Sequence, residues 1–353
     1  MVASLRVPMP GESLVIRADA SPAIGAGHVM RCLALAKAWQ SAGGSVTYLM
    51  AECIPALEER LDREGIARRE IVAPSGSARD AEQTAAEALR ANAAWLVVDG
   101  YRFDPDYVRG LKAAGLRVLF FDDDGRFDFY PSDVVLNQNS SASPGMYHNR
   151  APITQLLLGT DYVLLRPEFL VEQEPRQHPA IAREILVTMG GTDPDNVTRN
   201  IVLALANVKK DIEAKIVVGG GNPWQDELQA LTDRLAPRVK LERSPQNMAT
   251  LMSWADVAVS AAGSTCWELA HMGLPSIVIA LSADQQGIAN ALAERGIATS
   301  LGWHANLSGE RISTAIDVLL ENRNQRVAMS ARGQKAVDGR GAARVVEYLQ
   351  RSL

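Results

Sequence analysis

The sequence predicts an α/β protein made of two successive parallel sheets, each covered by helices. The chain has 353 residues, more than one domain usually holds. Short apolar runs alternate with helix-like segments along most of its length, and a hydrophobic content of 47% is enough for a buried core. Apolar strands separated by helices need cover on both faces, which favours parallel sheets. We expect domains at 1–172 and 173–353, with the last helix free to pack back on the first domain.

The individual elements follow from apolar runs and from helix punctuation. The helix over 104–114, for example, has Pro105 in its first turn and Gly115 just past its end. The linker is placed in a polar stretch flanked by prolines, 172–178. Strands are predicted at 14–16, 45–50, 68–72, 95–98, 116–121, 184–189, 214–218, 239–242, 256–259 and 275–280. Helices are predicted after residue 28, at 54–64, 80–91 and 104–114, from about 196, at 248–254, from about 266 and over most of the chain beyond 282.

Composition excludes several classes of protein. The net charge is −5 and no basic run is present, so nucleic acid is not an expected partner. Three distant cysteines without a CxxC pair are typical of a reducing compartment and predict no zinc site. No run of about 18 apolar residues predicts a membrane span. Residues 1–13 are interpreted as a short disordered lead, not a signal peptide. We therefore expect a cytoplasmic protein, a monomer, without metal or cofactor.

A glycine loop with one histidine stands between the first strand and the first helix. Gly25 and Gly27 allow backbone amides to approach a ligand, and the following helix directs its positive end to the same place. His28 lies in the first turn of that helix, where an imidazole can move a proton. The alternative is a tight turn in which His28 is only a polar residue at a helix start.

Polar residues follow several strands of the first half. Ligands of parallel sheets bind beyond the carboxyl ends of the strands, which makes Arg17, Asp19, Asp99 and Tyr101 candidates. Asp99 could equally cap a helix or pair with an arginine. Tyr101 combines a flat apolar face with a hydroxyl, a combination suited to a sugar. Three consecutive aspartates at 122–124 resemble magnesium ligands, but they cannot all face one ion, and no metal is predicted.

Two small-residue loops in the second half are candidates for binding a diphosphate. Each precedes a helix and can offer amides and hydroxyls to phosphate oxygens, and neither is an ATP-hydrolysing P-loop. Glu268 lies just beyond the second loop, where it can accept hydrogen bonds from a ribose or simply favour the helix dipole. Gln286 can bind sugar hydroxyls or belong to an amide-rich helix start. The loop residues are Gly190, Gly191, Thr192, Gly263, Ser264 and Thr265.

An ordered set of segments resembles one family, the UDP-sugar hydrolases of bacterial pseudaminic acid biosynthesis, which are relatives of the peptidoglycan N-acetylglucosaminyl transferases. The segments are spread over nearly the whole chain in the expected order. They are IRADASPAIGAGHVMRCLALA at 16–36, VVDGY at 97–101, FFDDD at 120–124, YVLLRPEF at 162–169, MGGTD at 189–193 and SAAGSTCWELA at 260–270.

The resemblance implies a GT-B-like fold, two Rossmann-like domains facing across a cleft. It implies hydrolysis of UDP-2,4-diacetamido-2,4,6-trideoxy-β-L-altropyranose to UDP and the free sugar, with inversion. The lack of a metal cluster in the sequence predicts that this activity is metal-independent. His28 is then the catalytic base, Tyr101 an active-site residue and Glu268 a ligand of the UDP ribose. Further sugar contacts are expected from Arg17, Asp19, Tyr101 and Arg166.

Three other functions are alternatives to this interpretation. A GT-B glycosyltransferase that uses a UDP-amino sugar donor would share the fold and the UDP site. A nucleotide-sugar binding protein without activity is the alternative outside enzymes, and His28 in the glycine loop disfavours it. An NAD enzyme is disfavoured because the first loop lacks a third glycine and a suitably spaced ribose acid.

Overall fold

The chain divides into two compact units. The computed structural model describes residues 11–21, 24–171, 175–235, 237–245 and 247–353. One unit comprises Met1–Arg166 with Arg340–Leu353, and the other comprises Pro167–Gly339. The boundary precedes the predicted 172/173 because the Phe169 carbonyl already lies 3.1 Å from His271 Nε2 of the second unit. Residues 1–10 of the predicted lead 1–13 and residues 172–174 of the predicted linker lie outside the described residues, and Ser13 already begins the first strand.

Parallel strands form the sheet of the first unit. Among the described residues their order is β3-β2-β1-β4-β5-β6-β7. β1 and β4 lie side by side at its centre, with Ala18 opposite Asp99 at their carboxyl ends. The strands are β1 (Ser13–Ala18), β2 (Ser45–Met50), β3 (Ala67–Glu70), β4 (Ala93–Asp99), β5 (Val118–Phe121), β6 (Val134–Asn137) and β7 (Gln155–Leu158).

Helices cover both faces of this sheet. Its helices are α1 (Gly27–Ser41), α2 (Pro55–Arg63), α3 (Ala78–Arg90) and α4 (Pro105–Ala113), joined by the last helix of the chain, α12 (Gly341–Arg351). The apolar stripe of α12, with Val345 and Leu349 fully buried, shares one core with α1 and β1. Trp95 on β4 donates to the Leu349 carbonyl at 3.0 Å. The C-terminal helix is therefore part of the first unit.

The second unit repeats the same construction. The described strands are parallel, in the order β10-β9-β8-β11-β12-β13. They are β8 (Glu184–Thr188), β9 (Glu213–Val218), β10 (Val239–Arg243), β11 (Val257–Ala261), β12 (Ser276–Ala280) and β13 (Ala298–Trp303). The helices are α5 (Val197–Leu205), α6 (Gln225–Asp233), α7 (Met248–Trp254), α8 (Thr265–His271), α9 (Ala283–Glu294), α10 (Gly309–Glu321) and α11 (Arg323–Ala336).

Two arginines hold the first residues of the second unit against the rest of that unit. Arg176 donates to the carbonyls of Met252, Ala255 and Met272, at the ends of α7 and α8. Arg326 donates to the Leu319 carbonyl at the end of α10 and to Pro179. Burial lowers the pKa of Arg176 to about 10, against the opposing charge of Asp256. Guanidinium groups at helix C-termini satisfy carbonyls that have no partner within the helix.

Three elements differ from the sequence prediction. The chain beyond 282 was expected to be helical, but β13 forms at the sheet edge and is only partly buried. The sequence also did not predict β7, which is an edge strand, or α6, whose face toward the sheet is only weakly apolar. β13 mixes small and polar residues with Leu301 and Trp303, so it lacks the continuous apolar run that marks the central strands. No helix among the described residues is long and apolar enough to cross a membrane.

Candidate active site

The glycine loop after β1 brings His28 to the carboxyl end of the first sheet. Gly25 has φ +80°, a conformation that glycine adopts without strain, and a Cβ at Gly25 or Gly27 would meet nothing within 4 Å. α1 starts at Gly27, so His28 lies in its first turn. The side chain of His28 is buried, and its Nδ1 lies 2.7 Å from Asp99 Oδ1.

Asp99 is the buried acceptor at the centre of this cluster. It ends β4, next to β1, and its carboxylate also accepts from Arg31 Nε and Nη2, each at 2.7 Å. Burial by itself would raise the pKa of Asp99. The charges of Arg31 and His28, with the hydrogen bonds from both, outweigh burial and hold that pKa well below its usual range. Asp99 is therefore ionised at neutral pH.

The ionised Asp99 selects one tautomer of His28. A carboxylate only accepts hydrogen bonds, so we assign the proton to Nδ1 from the 2.7 Å contact. Nε2 of the neutral ring is then an acceptor. The edge of the His28 ring meets Tyr101, with ring centroids 4.7 Å apart and planes at 83°. Tyr101 is half-exposed, and the guanidinium of Arg126 lies 5.1 Å from its ring centroid.

A second carboxylate holds the far side of Arg31. Arg31 Nη1 donates to Asp123 Oδ1 at 2.8 Å, and the Arg31 guanidinium lies over the Phe121 ring. Asn139 Nδ2 in turn contacts the Asp123 carbonyl at 3.2 Å and its carboxylate at 3.3 Å. Arg31 and Asn139 were not among the predicted site residues, and Asp123 was placed at a strand end with Asp122 but given no role there. The available signal was the spacing of His28 and Arg31, which puts both on one face of α1.

Arg17 and Asp19 belong to a different, buried network, which corrects their prediction as sugar contacts. Arg17 is fully buried and pairs with Asp19 at 2.6 Å and with Asp80 at 2.8 Å. Asp19 also accepts from the Ala51 amide at 2.7 Å and from Ser75 Oγ at 2.6 Å. Both charged groups are used within the protein, so they join β1 to its neighbours and are not available to a ligand.

Arg166 and the three consecutive aspartates are the remaining polar residues of the first unit that the sequence singled out. Arg166 is partly buried and is the last residue before the boundary. The three consecutive aspartates have three different environments. Asp122 accepts from Tyr147 at 2.9 Å, Asp123 pairs with Arg31, and Asp124 is exposed. In the described ranges no group of three or more His, Cys, Asp or Glu side chains could hold a metal ion.

The first predicted diphosphate loop of the second unit follows β8. Gly190 and Gly191 are exposed, and Gly190 has φ +85°. The loop touches its neighbour closely, because a Cβ at Gly219 would lie 2.4 Å from the Gly191 carbonyl oxygen. The start of α5 differs from expectation. Asp193 accepts from the first amides of α5, those of Val197 at 2.9 Å and Thr198 at 2.8 Å. Asp193 therefore occupies the start of α5, and the exposed residues of this loop are Gly190 and Gly191.

The second predicted loop lies between β11 and α8. Gly263, Ser264 and Thr265 are all at least partly exposed, and Glu268 lies half-buried one turn into α8. Gln285 approaches this loop, since its Nε2 would lie 3.9 Å from a Cβ at Gly263. Gln286, the residue chosen from the sequence, is exposed on the next position of α9. Gln285 of α9 thus lies beside Gly263.

The two-unit architecture is that of the GT-B glycosyltransferases, which confirms the predicted fold class. The crystal structure of MurG from Acinetobacter baumannii matches with a TM-score of 0.64 at 18% identity, covering 96% of this chain and 99% of that chain. Residues 185–344 match the glycosyltransferase family 28 C-terminal domain.

Two curated proteins are more similar in sequence. The spore coat polysaccharide biosynthesis protein SpsG of Bacillus subtilis is 29% identical over 66% of this chain and 68% of its own length. The UDP-2,4-diacetamido-2,4,6-trideoxy-β-L-altropyranose hydrolase of Campylobacter jejuni is 25% identical over 80% of this chain and 97% of its own length.

Proposed function

We propose that this protein hydrolyses UDP-2,4-diacetamido-2,4,6-trideoxy-β-L-altropyranose to UDP and the free sugar, in the biosynthesis of pseudaminic acid. The observation that carries the proposal is the 2.7 Å contact between His28 Nδ1 and the ionised Asp99. It leaves Nε2 as a proton acceptor in a glycine loop at the carboxyl end of a parallel sheet. The similarity to the Campylobacter jejuni hydrolase, which extends over nearly all of that protein, supports this choice of substrate.

In the proposed reaction His28 is the general base. UDP leaves as a stable anion and needs little protonation, so an activated water is the main requirement. His28 Nε2 takes a proton from that water, and Asp99 stabilises the imidazolium that forms. Attack at the anomeric carbon opposite the leaving group inverts its configuration. General base catalysis of this kind contributes typically about 10²–10⁴-fold.

The second unit is proposed to bind the nucleotide. The loops 190–192 and 263–265 would offer amides and hydroxyls to the diphosphate, and Glu268 would accept hydrogen bonds from the ribose. Preorganised donors of this type stabilise the charge that develops on the leaving diphosphate. Tyr101, in edge contact with His28, is proposed to hold the imidazole and to contact the sugar. Arg166 remains a candidate sugar contact.

A glycosyltransferase is the second candidate. The match to the glycosyltransferase family 28 C-terminal domain and the MurG-like fold favour it equally. His28 would then activate an acceptor hydroxyl in place of water, so the same pair of His28 and Asp99 would serve both reactions. Only the identity of the acceptor separates them.

The test is UDP release from a panel of UDP-diacetamido-trideoxy sugars, in EDTA and without any acceptor. Wild type is compared with His28→Asn and with His148→Asn, a control at an exposed histidine of the same unit. We expect release with the altro sugar only, lost in His28→Asn and kept in His148→Asn, while UDP binding is unchanged in all three. Loss of UDP affinity in parallel with the rate would contradict the base assignment. No release by wild type that still binds UDP would favour a transferase or a binding protein.

A further inference from the structure

The site contains two carboxylates and one guanidinium around a single imidazole. Asp99 is shared, because its carboxylate accepts from His28 and from Arg31 at the same distance, 2.7 Å. Arg31 Nη2 also lies only 3.3 Å from His28 Nδ1. A cation this close opposes protonation of the imidazole and neutralises much of the charge of Asp99. With Asp99 and Arg31 alone, the two charges beside His28 would largely cancel.

Asp123 changes this balance. Its carboxylate pairs with Nη1 on the opposite side of the guanidinium, 2.8 Å away, and Asn139 holds it there. Asp99 and Asp123 together carry two negative charges against the one positive charge of Arg31. One unit of negative charge therefore remains to stabilise protonated His28.

The surroundings of His28 contain few other charges that could serve this purpose. The Cys32 thiol lies 3.4 Å from Asp99 Oδ2, and burial, then the charge of Asp99, raises the pKa of that thiol, so it stays neutral. Tyr101 contributes a ring edge, and the cation over the outer face of Tyr101 belongs to Arg126, which is exposed. Solvent screens that exposed cation more than the buried Arg31.

We infer that Asp123 is a positioning residue which, by pairing with Arg31, leaves the charge of Asp99 to His28 and so sets the proton affinity of the base. Its effect on the rate depends on the proposed function. Its effect on the imidazole does not.

The test follows the His28 ring directly by NMR, in full-length protein labelled with ¹⁵N-histidine. The His28 signals are assigned by their loss in His28→Gln. In Asp123→Asn we expect the titration midpoint of the ring to move to lower pH by roughly 0.5–1 unit, since one compensating charge is removed. Asp124→Asn, at the exposed neighbouring residue, should leave the midpoint unchanged. The acid limb of the kcat/KM profile should move with the midpoint, and UDP affinity should stay the same.

A second variant at the same ion pair gives the opposite sign. Arg31→Gln removes the cation and leaves both carboxylates, so the midpoint should rise. If Asp123 had a purely structural role, the His28 midpoint would shift in the same direction in both variants or in neither. Either result would overturn the inference. A midpoint in Asp123→Asn within about 0.2 unit of wild type would also overturn it. If the midpoints move as expected but wild type releases no UDP, the charge assignment stands and the proposed hydrolysis fails.

Discussion

Replacing Asp99 by asparagine tests the core of the site with the smallest change of shape. The carboxylate accepts three hydrogen bonds from His28 and Arg31, all at 2.7 Å. An asparagine has one oxygen and one amino group, so it cannot accept all three. With the oxygen toward His28, the amino group faces the N–H of Arg31 Nε. With the amino group toward His28, it donates to Nδ1, forces the proton to Nε2 and abolishes the base.

The magnitude follows from these two orientations. In either one a buried Arg31 N–H loses its acceptor, and breaking a buried ion pair costs about 3–5 kcal/mol of folding stability. The first orientation removes the charge that stabilises protonated His28, and the second removes general base catalysis, so we expect kcat to fall by about 10²–10⁴-fold. UDP affinity should change little, because the proposed nucleotide ligands belong to the second unit.

The assay is steady-state UDP release together with thermal unfolding and UDP calorimetry. Asp124→Asn is the matched control, since the same isosteric change at an exposed carboxylate removes no buried bond. A kcat for Asp99→Asn within threefold of wild type, in protein that unfolds cooperatively, would refute the role of Asp99 in orienting the base.

Three further predictions concern stability and reactivity. The pKa of Asp99 in the folded protein lies well below its usual value, so as the pH falls the unfolded chain binds a proton at Asp99 before the folded protein does. The contribution of Asp99 to stability is therefore present above about pH 5 and is lost as the pH falls further. Urea unfolding at pH 7 and at pH 4 would detect this loss. Burial raises the pKa of the Cys266 thiol to about 12, whereas Cys53 is only partly buried. Mass spectrometry should therefore find Cys53 alkylated by iodoacetamide at pH 8 well before Cys266. Equal rates of alkylation in the folded protein would contradict this order. Gly219→Ala places a Cβ against the Gly191 carbonyl, so it should lower the stability of the fold by about 1–3 kcal/mol. It should also weaken UDP binding measured by calorimetry. Unchanged UDP affinity would show that the loop 190–192 is not part of the nucleotide site.

Much of the fold followed from local pattern. β2 and α7 were predicted with their observed bounds, because each is a short periodic run with clear ends. β13 was wrongly predicted as helix, since a polar edge strand lacks the apolar run of a buried one. Local pattern thus identified the central strands and the edge strands β3 and β10, and it missed the edge strands β7 and β13.

The candidate site was harder to predict than the fold. His28 and Asp99 were both chosen, but as separate candidates, because nothing in the sequence joins residues 71 positions apart. Arg17 was chosen for its place after an apolar run, yet its charge is satisfied by Asp80, again far along the chain. Asp123 was set aside with its acidic neighbours, although its partner is Arg31. Pairing of charges across strands is decided by sheet order, which single-sequence reasoning does not supply.

The C-terminal helix has a consequence for the modular history of such chains. Because α12 belongs to the first unit, the polypeptide leaves that unit after Arg166 and returns to it at Arg340. A recombination event that exchanged the second unit for that of a relative would therefore need two crossover points, one on each side of it. A single crossover would pair α1 with a foreign α12, across a core in which Val345 and Leu349 are fully buried. We expect functional chimaeras of these proteins to carry the N-terminal unit and the tail from the same parent.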